Sequence, residues 1–319
     1  MRKLFAMILC LLMLVSLAAC GETADDGKFV VGICQIEPHA ALDAATQGFK
    51  DALVAELGED KVTFIEGNAA GDSNTLNTII QDFVAKKVDL ILANATPVLQ
   101  AAAGATTTIP ILGTSVTEYS VALQLDNFDG LVGGNISGTS DLAPLDKQAQ
   151  MVLDWFPEAQ NVGLLYSATE ANSTYQVRQV KQYLEDKGLT CNEYSFSSSA
   201  DLSAVAEDAA ANSDVIYVPT DNTVANSAEL VYSICSAKNV PIIAGEENIC
   251  SKCGIATLSI SYYDLGATTG KMAAQILTGQ ADISQMKIAY AETQTAKYNA
   301  EICEEMGITP LEGYVAIGE

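Results

Sequence analysis

The spacing of apolar residues changes period repeatedly along this chain. After Arg2 and Lys3, positions 4–19 form one apolar run of 16 residues, short of the roughly 20 that a bilayer-spanning helix needs. Positions 21–28 are polar and rich in turn formers. From position 29 onward, short apolar runs alternate with stretches of helical spacing. Residues 29–36 are almost continuously apolar, the pattern of a strand covered on both faces. Residues 40–57 put Leu42, Ala45, Phe49, Leu53 and Leu57 on one helical face. A strand at 62–65, a helix at 75–87 (Leu76, Ile79, Ile80 and Phe83 inward), a strand at 88–93, a helix at 97–104 and a strand at 109–113 follow. Past a turn-rich stretch around Gly133-Gly134-Asn135, helices are expected at 144–156, 174–187, 202–211, 224–237, 265–277 and 297–306. Strands are expected between them at 162–166, 190–196, 215–218, 240–244, 254–260 and 287–291. Such alternation predicts an α/β fold with parallel sheets covered on both faces. About ten strands with a break in composition near 130–141 predict two sheets rather than one, and no fixed-period repeat points to a solenoid.

The first apolar run suits a signal peptide, and it closes on Leu17-Ala18-Ala19-Cys20. A cysteine directly after small residues resembles the lipobox of bacterial lipoproteins, in which the thiol carries the lipid. Cys10 lies inside the run and does not fit that role. The expectation is a signal peptide at 1–19, lipidation of Cys20, and a tether at 20–28. The eight residues from Gly21 to Lys28 reach at most about 29 Å when extended.

Composition narrows the function classes. With Arg2 and Lys3 removed, 14 basic residues stand against 40 acidic ones, a net charge of −26. That balance disfavours nucleic acid and anionic head groups as partners. Arg178 is then the one remaining arginine. Phosphates and dicarboxylates are usually held by guanidinium forks, so a neutral or zwitterionic ligand is expected. Six cysteines follow Cys20: Cys34, Cys191, Cys235, Cys250, Cys253 and Cys303. They are compatible with fifteen disulfide connectivities or with buried thiols, and composition does not choose. Cys250-x-x-Cys253 has no second pair or histidine beside it and reads as a poor zinc site; placed in a loop before a strand, it is also a poor thioredoxin-like centre. No metal or cofactor is expected.

In open parallel sheets ligands bind beyond the carboxyl ends of the strands, against helix starts. The clusters there are polar. Gln35-Ile36-Glu37-Pro38-His39 contains the sole histidine, which reads as a structural hydrogen-bonder or a ligand contact. Asn94-Ala95-Thr96-Pro97 offers a helix cap and free amides, and residues 114–118 add hydroxyls. On the second sheet lie Ser167-Ala168-Thr169-Glu170-Ala171-Asn172-Ser173 and Pro219-Thr220-Asp221-Asn222-Thr223. Asp221 suits a ligand ammonium and equally well a helix cap. Glu246-Glu247-Asn248 is a weaker candidate of the same kind. Trp155 reads as helix-end packing. No Gly-x-Ser-x-Gly elbow, metal constellation or Gly-x-Gly-x-x-Gly loop supports an enzyme.

From about Val31 to Met306 the chain resembles the TrpX-type solute-binding lipoproteins of ABC importers. The resemblance is carried by His39-Ala40-Ala41-Leu42-Asp43, Gly71-Asp72-Ser73, Ala95-Thr96-Pro97 and Gly133-Gly134-Asn135-Ile136-Ser137-Gly138. Tyr166-Ser167 with Asn172-Ser173, Val218-Pro219-Thr220-Asp221-Asn222-Thr223, and Asp264-Leu265-Gly266 through Gly270-Lys271-Met272 complete it. It implies a type I periplasmic-binding fold: two Rossmann-like lobes with parallel sheets, joined by hinge strands, closing on a ligand. The division expected is 29–138 with 262–319 as the N-terminal lobe and 139–261 as the C-terminal lobe. By position it implies ligand-holding roles for Thr96, Ser140, Asp141, Ser167, Asn172, Ser173, Asp221 and Asn222. It implies a non-enzymatic carrier of an amino acid, aromatic by the family's known cargo, with tryptophan, phenylalanine and tyrosine the expected ligands. The partners implied are an ABC permease with its ATPase, and the carrier is expected to be a monomer lipid-anchored to the outer face of the cell membrane. The chain departs from the family at Cys34 and at Cys250–Cys253, both expected near the cleft. A sugar or nucleoside carrier, or a ligand sensor on the same fold, is the alternative.

Overall fold

The structure is a computed structural model that describes residues 27–291 and 293–318. The first apolar run, Cys20 and most of the tether lie outside the described residues. Strands β1 (Phe29–Gln35), β2 (Val62–Asn68), β3 (Leu90–Asn94), β4 (Ile111–Val116) and β5 (Ile136–Ser140) come first in the chain. They are followed by β6 (Asn161–Ser167), β7 (Thr190–Phe196), β8 (Val215–Val218), β9 (Ile242–Ala244) and β10 (Ala256–Ser259), then β11 (Ala289–Tyr290), β12 (Thr295–Tyr298) and β13 (Val315–Ala316). They form two sheets, ordered β11-β5-β4-β3-β1-β2 and β13-β12-β10-β9-β8-β6-β7. Every pair of named strands is parallel except β10 with β12. The fold is thus two parallel-rich α/β lobes.

The helices are α1 (Ala40–Leu57), α2 (Ser73–Lys86), α3 (Thr96–Ala105), α4 (Tyr119–Ala122), α5 (Leu145–Trp155), α6 (Ala171–Asp186) and α7 (Leu202–Asn212). After them come α8 (Asn222–Asn226), α9 (Ala228–Ala237), α10 (Glu247–Cys253), α11 (Tyr262–Leu277) and α12 (Ala300–Glu305). Alternation of side chains along each strand explains the continuous apolar runs. In β1, Val31 and Ile33 pack with Phe49 and Leu53 of α1 and Met272 of α11, whereas Cys34 joins Ile80 and Phe83 of α2 and Leu99 of α3. In the second lobe, Leu164 packs with Val152 and Trp155 of α5 and Val177 of α6, and Leu165 with Ala206 of α7 and Val231 of α9. Trp155 makes an edge-on contact with Tyr314 at 5.0 Å between ring centroids, a packing role.

The chain crosses between lobes three times: after β5, between β10 and α11, and between β11 and β12. Assigning 262–319 as one block to the first lobe does not match the pairing. Residues 262–290 return to the first sheet, but β12 pairs antiparallel with β10 and β13 pairs with β12, both in the second. Strand β5, which the pattern left as a turn-rich stretch, has only one large apolar residue in Ile136-Ser137-Gly138-Thr139-Ser140. It is buried because its hydroxyls are satisfied: Ser137 Oγ donates to Met286 O (2.8 Å), Ser140 Oγ donates to Thr117 O (2.7 Å), and Thr139 Oγ1 meets Thr269 Oγ1 (2.9 Å). The helix expected at 224–237 is two, broken at Ser227, and Cys250 and Cys253 lie on α10 rather than in a loop. All six cysteines among the described residues are buried free thiols. Burial pushes the Cys34 thiol up to about 12 and that of Cys191 to about 11.

Helices α1 and α11 run side by side with backbone against backbone. A Cβ on Gly266 would stand 1.9 Å from Ala45 O, one on Gly48 2.0 Å from Tyr263 O, and one on Gly270 2.5 Å from Phe49 O. Hydrogen is the only side chain these three positions admit. The pairing of Ala45 with Gly266 and Phe49 with Gly270 makes the helices co-directional, so both start at the same end of the sheet. We expect Gly266→Ala to destabilise the protein by about 2–3 kcal/mol through overpacking. Gly104→Ala, in open space on α3, should leave the melting temperature unchanged or slightly higher. Thermal denaturation of the two variants checks this.

Candidate functional site

Strand order reverses direction between β1 and β3 in the first sheet and between β6 and β8 in the second. Loops leaving the carboxyl ends of such strand pairs part from each other and leave a crevice. The two crevices face each other across the lobes. Between them lies a cavity of about 280 Å³, of which the centre of a water molecule reaches only about 10 Å³. The walls are nearly in contact, and ligand access requires the lobes to part. From the first lobe and the crossings come His39, Leu42, Ser115, Thr117, Asp141 and Tyr262; from the second come Asn172, Thr220, Asp221, Asn222, Ala225 and Glu246.

Two contacts join the lobes at this cavity. His39 Nε2 lies 3.3 Å from Asn222 Oδ1, and Asn226 Nδ2 donates to Glu37 Oε2 at 3.0 Å. The amide orientation of Asn222 follows from Glu170, whose oxygens are ringed by donors. Glu170 Oε2 accepts from the backbone N of Asn222 (3.1 Å) and from its Nδ2 (2.5 Å), and Glu170 Oε1 accepts from Thr223 N and Oγ1 (both 3.0 Å). Asn222 therefore presents Oδ1 to His39, and the imidazole must donate from Nε2.

The residues expected to hold ligand divide into two groups. Asp141, Asn172, Asp221 and Asn222 line the cavity, while Thr96, Ser140, Ser167 and Ser173 stand behind it. Asp221 is 1 % exposed and both its oxygens are engaged within the protein. Oδ2 accepts from Ser167 N and Ser173 Oγ, each at 2.7 Å, and Oδ1 accepts from Val224 N at 2.9 Å, capping α8. Ser140 is committed to Thr117 O and Leu142 N. Thr96 is the first residue of α3 rather than its cap; Ala95 caps it with φ 97°, and Thr96 Oγ1 is buried without a partner.

Four lining residues carry buried polar atoms with no hydrogen-bond partner among the described residues: His39 Nδ1, Ser115 Oγ, Asp141 Oδ1 and Asn172 Oδ1. Such atoms are costly unless something else pairs with them. Asp141 is 4 % exposed; its other oxygen accepts from Tyr262 OH at 2.9 Å, and the Thr117 side chain also stands beside the carboxyl and lowers it. Asn172 gives Nδ2 to Thr220 O (2.8 Å), which leaves Oδ1 toward the cavity. Ser115 sits at φ 54° where the β4–β5 register shifts, a strained turn that re-aims its side chain. Sequence reasoning passed over Tyr262 and Glu170. Tyr262 had no signal beyond its place before Asp264-Leu265-Gly266, and Glu170 lay inside a cluster whose neighbours drew attention first. Cys34, Cys250 and Cys253, expected beside the cleft, are instead in the cores behind it.

The site is acidic and holds no lysine or arginine in its lining. Burial raises the carboxyls of Asp141 and Asp221, the latter also through Glu170. Glu37 is pushed up to about 7 by burial and then by Glu170, and Glu246 to about 7 chiefly by burial. Burial holds His39 below its usual value. Uncompensated negative charge of this kind favours a ligand that brings a cation.

The sequence profile described as ABC transporter substrate binding protein matches residues 30–316. The chain belongs to that family. It is similar, at 35 % identity over 254 residues (78 % of this chain, 73 % of the relative), to a tyrosine-binding protein of Clostridioides difficile. An ABC domain from Streptococcus pneumoniae solved in complex with L-Trp superposes with a TM-score of 0.86 at 30 % identity, covering 91 % of this chain and 99 % of that one. A ligand-free, open substrate-binding protein from Clostridium difficile gives 0.68 at 34 % identity with the same coverage. The lobes of this substrate-binding protein are thus arranged more as in the L-Trp complex than as in the open form, in keeping with the contacts His39 and Glu37 make across the cleft. Members of the family are extracytoplasmic, non-enzymatic and work with an ABC permease. Among the described residues no helix is long and apolar enough to cross a membrane.

Two expectations follow. Asp221→Ala should cost about 2–3 kcal/mol of stability by removing an N-cap and two further buried hydrogen bonds, measured by chemical denaturation. The second concerns pH. A glutamate raised from about 4.3 in the unfolded chain to about 7 in the fold binds protons in the native state first. Its unfavourable contribution is therefore absent below about pH 4.5 and grows as pH rises through 7. His39 acts oppositely, gaining stability above its depressed value. The ligand-free protein should lose melting temperature between pH 5 and 8, and Glu37→Gln should flatten that slope while keeping an acceptor for Asn226.

Proposed function

We propose that this protein is the lipid-anchored receptor of an ABC importer, capturing an aromatic amino acid between its lobes and handing it to the permease and its ATPase. The observation that carries the reading is the set of unpartnered acceptors in a cavity lined by neither lysine nor arginine, Asn172 Oδ1 and Asp141 Oδ1 foremost. An α-ammonium supplies the three N–H donors and the positive charge that such a set lacks. Asp141 is the better ammonium partner than Asp221, whose oxygens already accept three hydrogen bonds within the protein. The hydroxyl of Ser115, in the lining, is a donor available to the carboxylate.

Leu42, Ala225 and the ring of Tyr262 are the apolar part of the lining, suited to an aromatic side chain. Relatives named for tyrosine and solved with L-Trp support the same class. Cys20 is the proposed lipid site, outside the described residues, and the receptor acts as a monomer. Closure buries the ligand and brings His39 to Asn222 and Glu37 to Asn226; the closed form is what the permease would meet.

Titration calorimetry against L-tryptophan, L-tyrosine and L-phenylalanine tests the proposal. At least one should bind and raise the melting temperature by mass action. Asp141→Asn, which turns an N–H toward the ammonium while still accepting from Tyr262, should weaken binding at least about 100-fold. A response to sugars or nucleosides but to no amino acid would sink the cargo assignment.

A further inference from the structure

His39 is the single histidine of the chain, and closure alone does not account for it. It is 6 % exposed and lines the cavity. Its Nε2 is committed as a donor to Asn222 Oδ1 (3.3 Å), an orientation fixed in turn by Glu170. In the neutral ring the other nitrogen, Nδ1, is then a pure acceptor. It has no hydrogen-bond partner among the described residues.

The place of that acceptor in the fold says which part of a ligand it meets. His39 follows β1, while Asp141 follows β5. In the first sheet β5, β4, β3 and β1 are consecutive neighbours, so the two strand ends are three spacings apart, about 14 Å. The two side chains are also held by different parts of the molecule, His39 by Asn222 of the second lobe and Asp141 by Tyr262. Asp141 lies at the crossing between lobes, tied to Tyr262, whereas His39 lies where the lobes touch. A ligand whose ammonium is at Asp141 extends its side chain past Tyr262 and Leu42 toward His39.

We propose that His39 reads the far end of the ligand: its Nδ1 accepts the side-chain O–H or N–H of tyrosine or tryptophan, so that the cleft rejects phenylalanine. The inference rests on the cleft being an amino-acid site. Phenylalanine would bury Nδ1 without a donor, and a buried polar atom left unpaired is the strongest available means of discrimination between ligands of one shape.

Calorimetry of the full chain with L-tyrosine, L-tryptophan and L-phenylalanine is the test, on the wild type and on His39→Leu. The wild type should bind tyrosine or tryptophan at least about 10-fold more tightly than phenylalanine. In His39→Leu that ratio should fall to within about threefold, because the variant has no acceptor to leave unpaired. Loss of the contact with Asn222 weakens all three ligands alike, so the ratio, and not the absolute affinity, reports the reading role. Equal weakening of all three with the ratio preserved overturns the proposal. So does a wild type that binds phenylalanine as tightly as the other two, a result that needs no folded variant. Binding of no amino acid at all overturns the cleft's assignment itself, a distinct outcome.

Discussion

The contact between α1 and α11 is the constraint on which the arrangement depends. Two helices far apart in sequence approach until main chain touches main chain, a distance possible only because Gly48, Gly266 and Gly270 have no side chain. The contact brings the chain back to the first lobe after its excursion through the second. It also sets the starts of both helices at one end of the sheet, where His39 precedes α1 and Tyr262 begins α11. One wall of the cavity is therefore a by-product of helix packing: wider spacing would move Tyr262, and with it the hydroxyl that holds Asp141.

Across the cavity the second lobe solves a different problem, that of keeping carboxylates in a dry place. Glu170 and Asp221 are each surrounded by backbone and side-chain donors from helix starts. They form a rigid acidic floor that orients Asn172 and Asn222. Asp141 and Glu37 are less fully provided for. The difference separates groups that build the site from groups left with capacity to bind, and it follows from counting lone pairs rather than from residue type.

Much of the fold was legible because strands covered on both faces must be apolar throughout. Phe29 to Gln35 and Val215 to Val218 announce themselves for that reason. Strand β5 did not, since its burial rests on hydroxyls paired with residues 117, 269 and 286, none of them local. β12 and β13 were missed because strands of four and two residues carry little pattern, and with them went the true boundary between lobes. In the site, polar clusters after β3, β6 and β8 could be read from strand ends followed by helix starts. What could not be read was which aspartate is occupied. Asp221 and Asp141 look alike in sequence, and only the donors around Asp221 show that its oxygens are taken. Tyr262 acts at a crossing whose position depends on the α1–α11 contact, which no local pattern encodes.

The three crossings between lobes bear on when the protein can fold. One face of the first sheet, including Val31, Ile33, Leu90, Leu92 and Leu112, is covered by Met272 and Ala273 of α11. The second lobe draws Ile302 and Cys303 into its core and packs Tyr314 against it. A chain emerging residue by residue thus has its first core open to water until about position 277 has appeared, and its second until nearly the end. Neither lobe can finish early and wait for the other. Both cores are thus completed by late parts of the chain, the first by α11 and the second by residues 302–314.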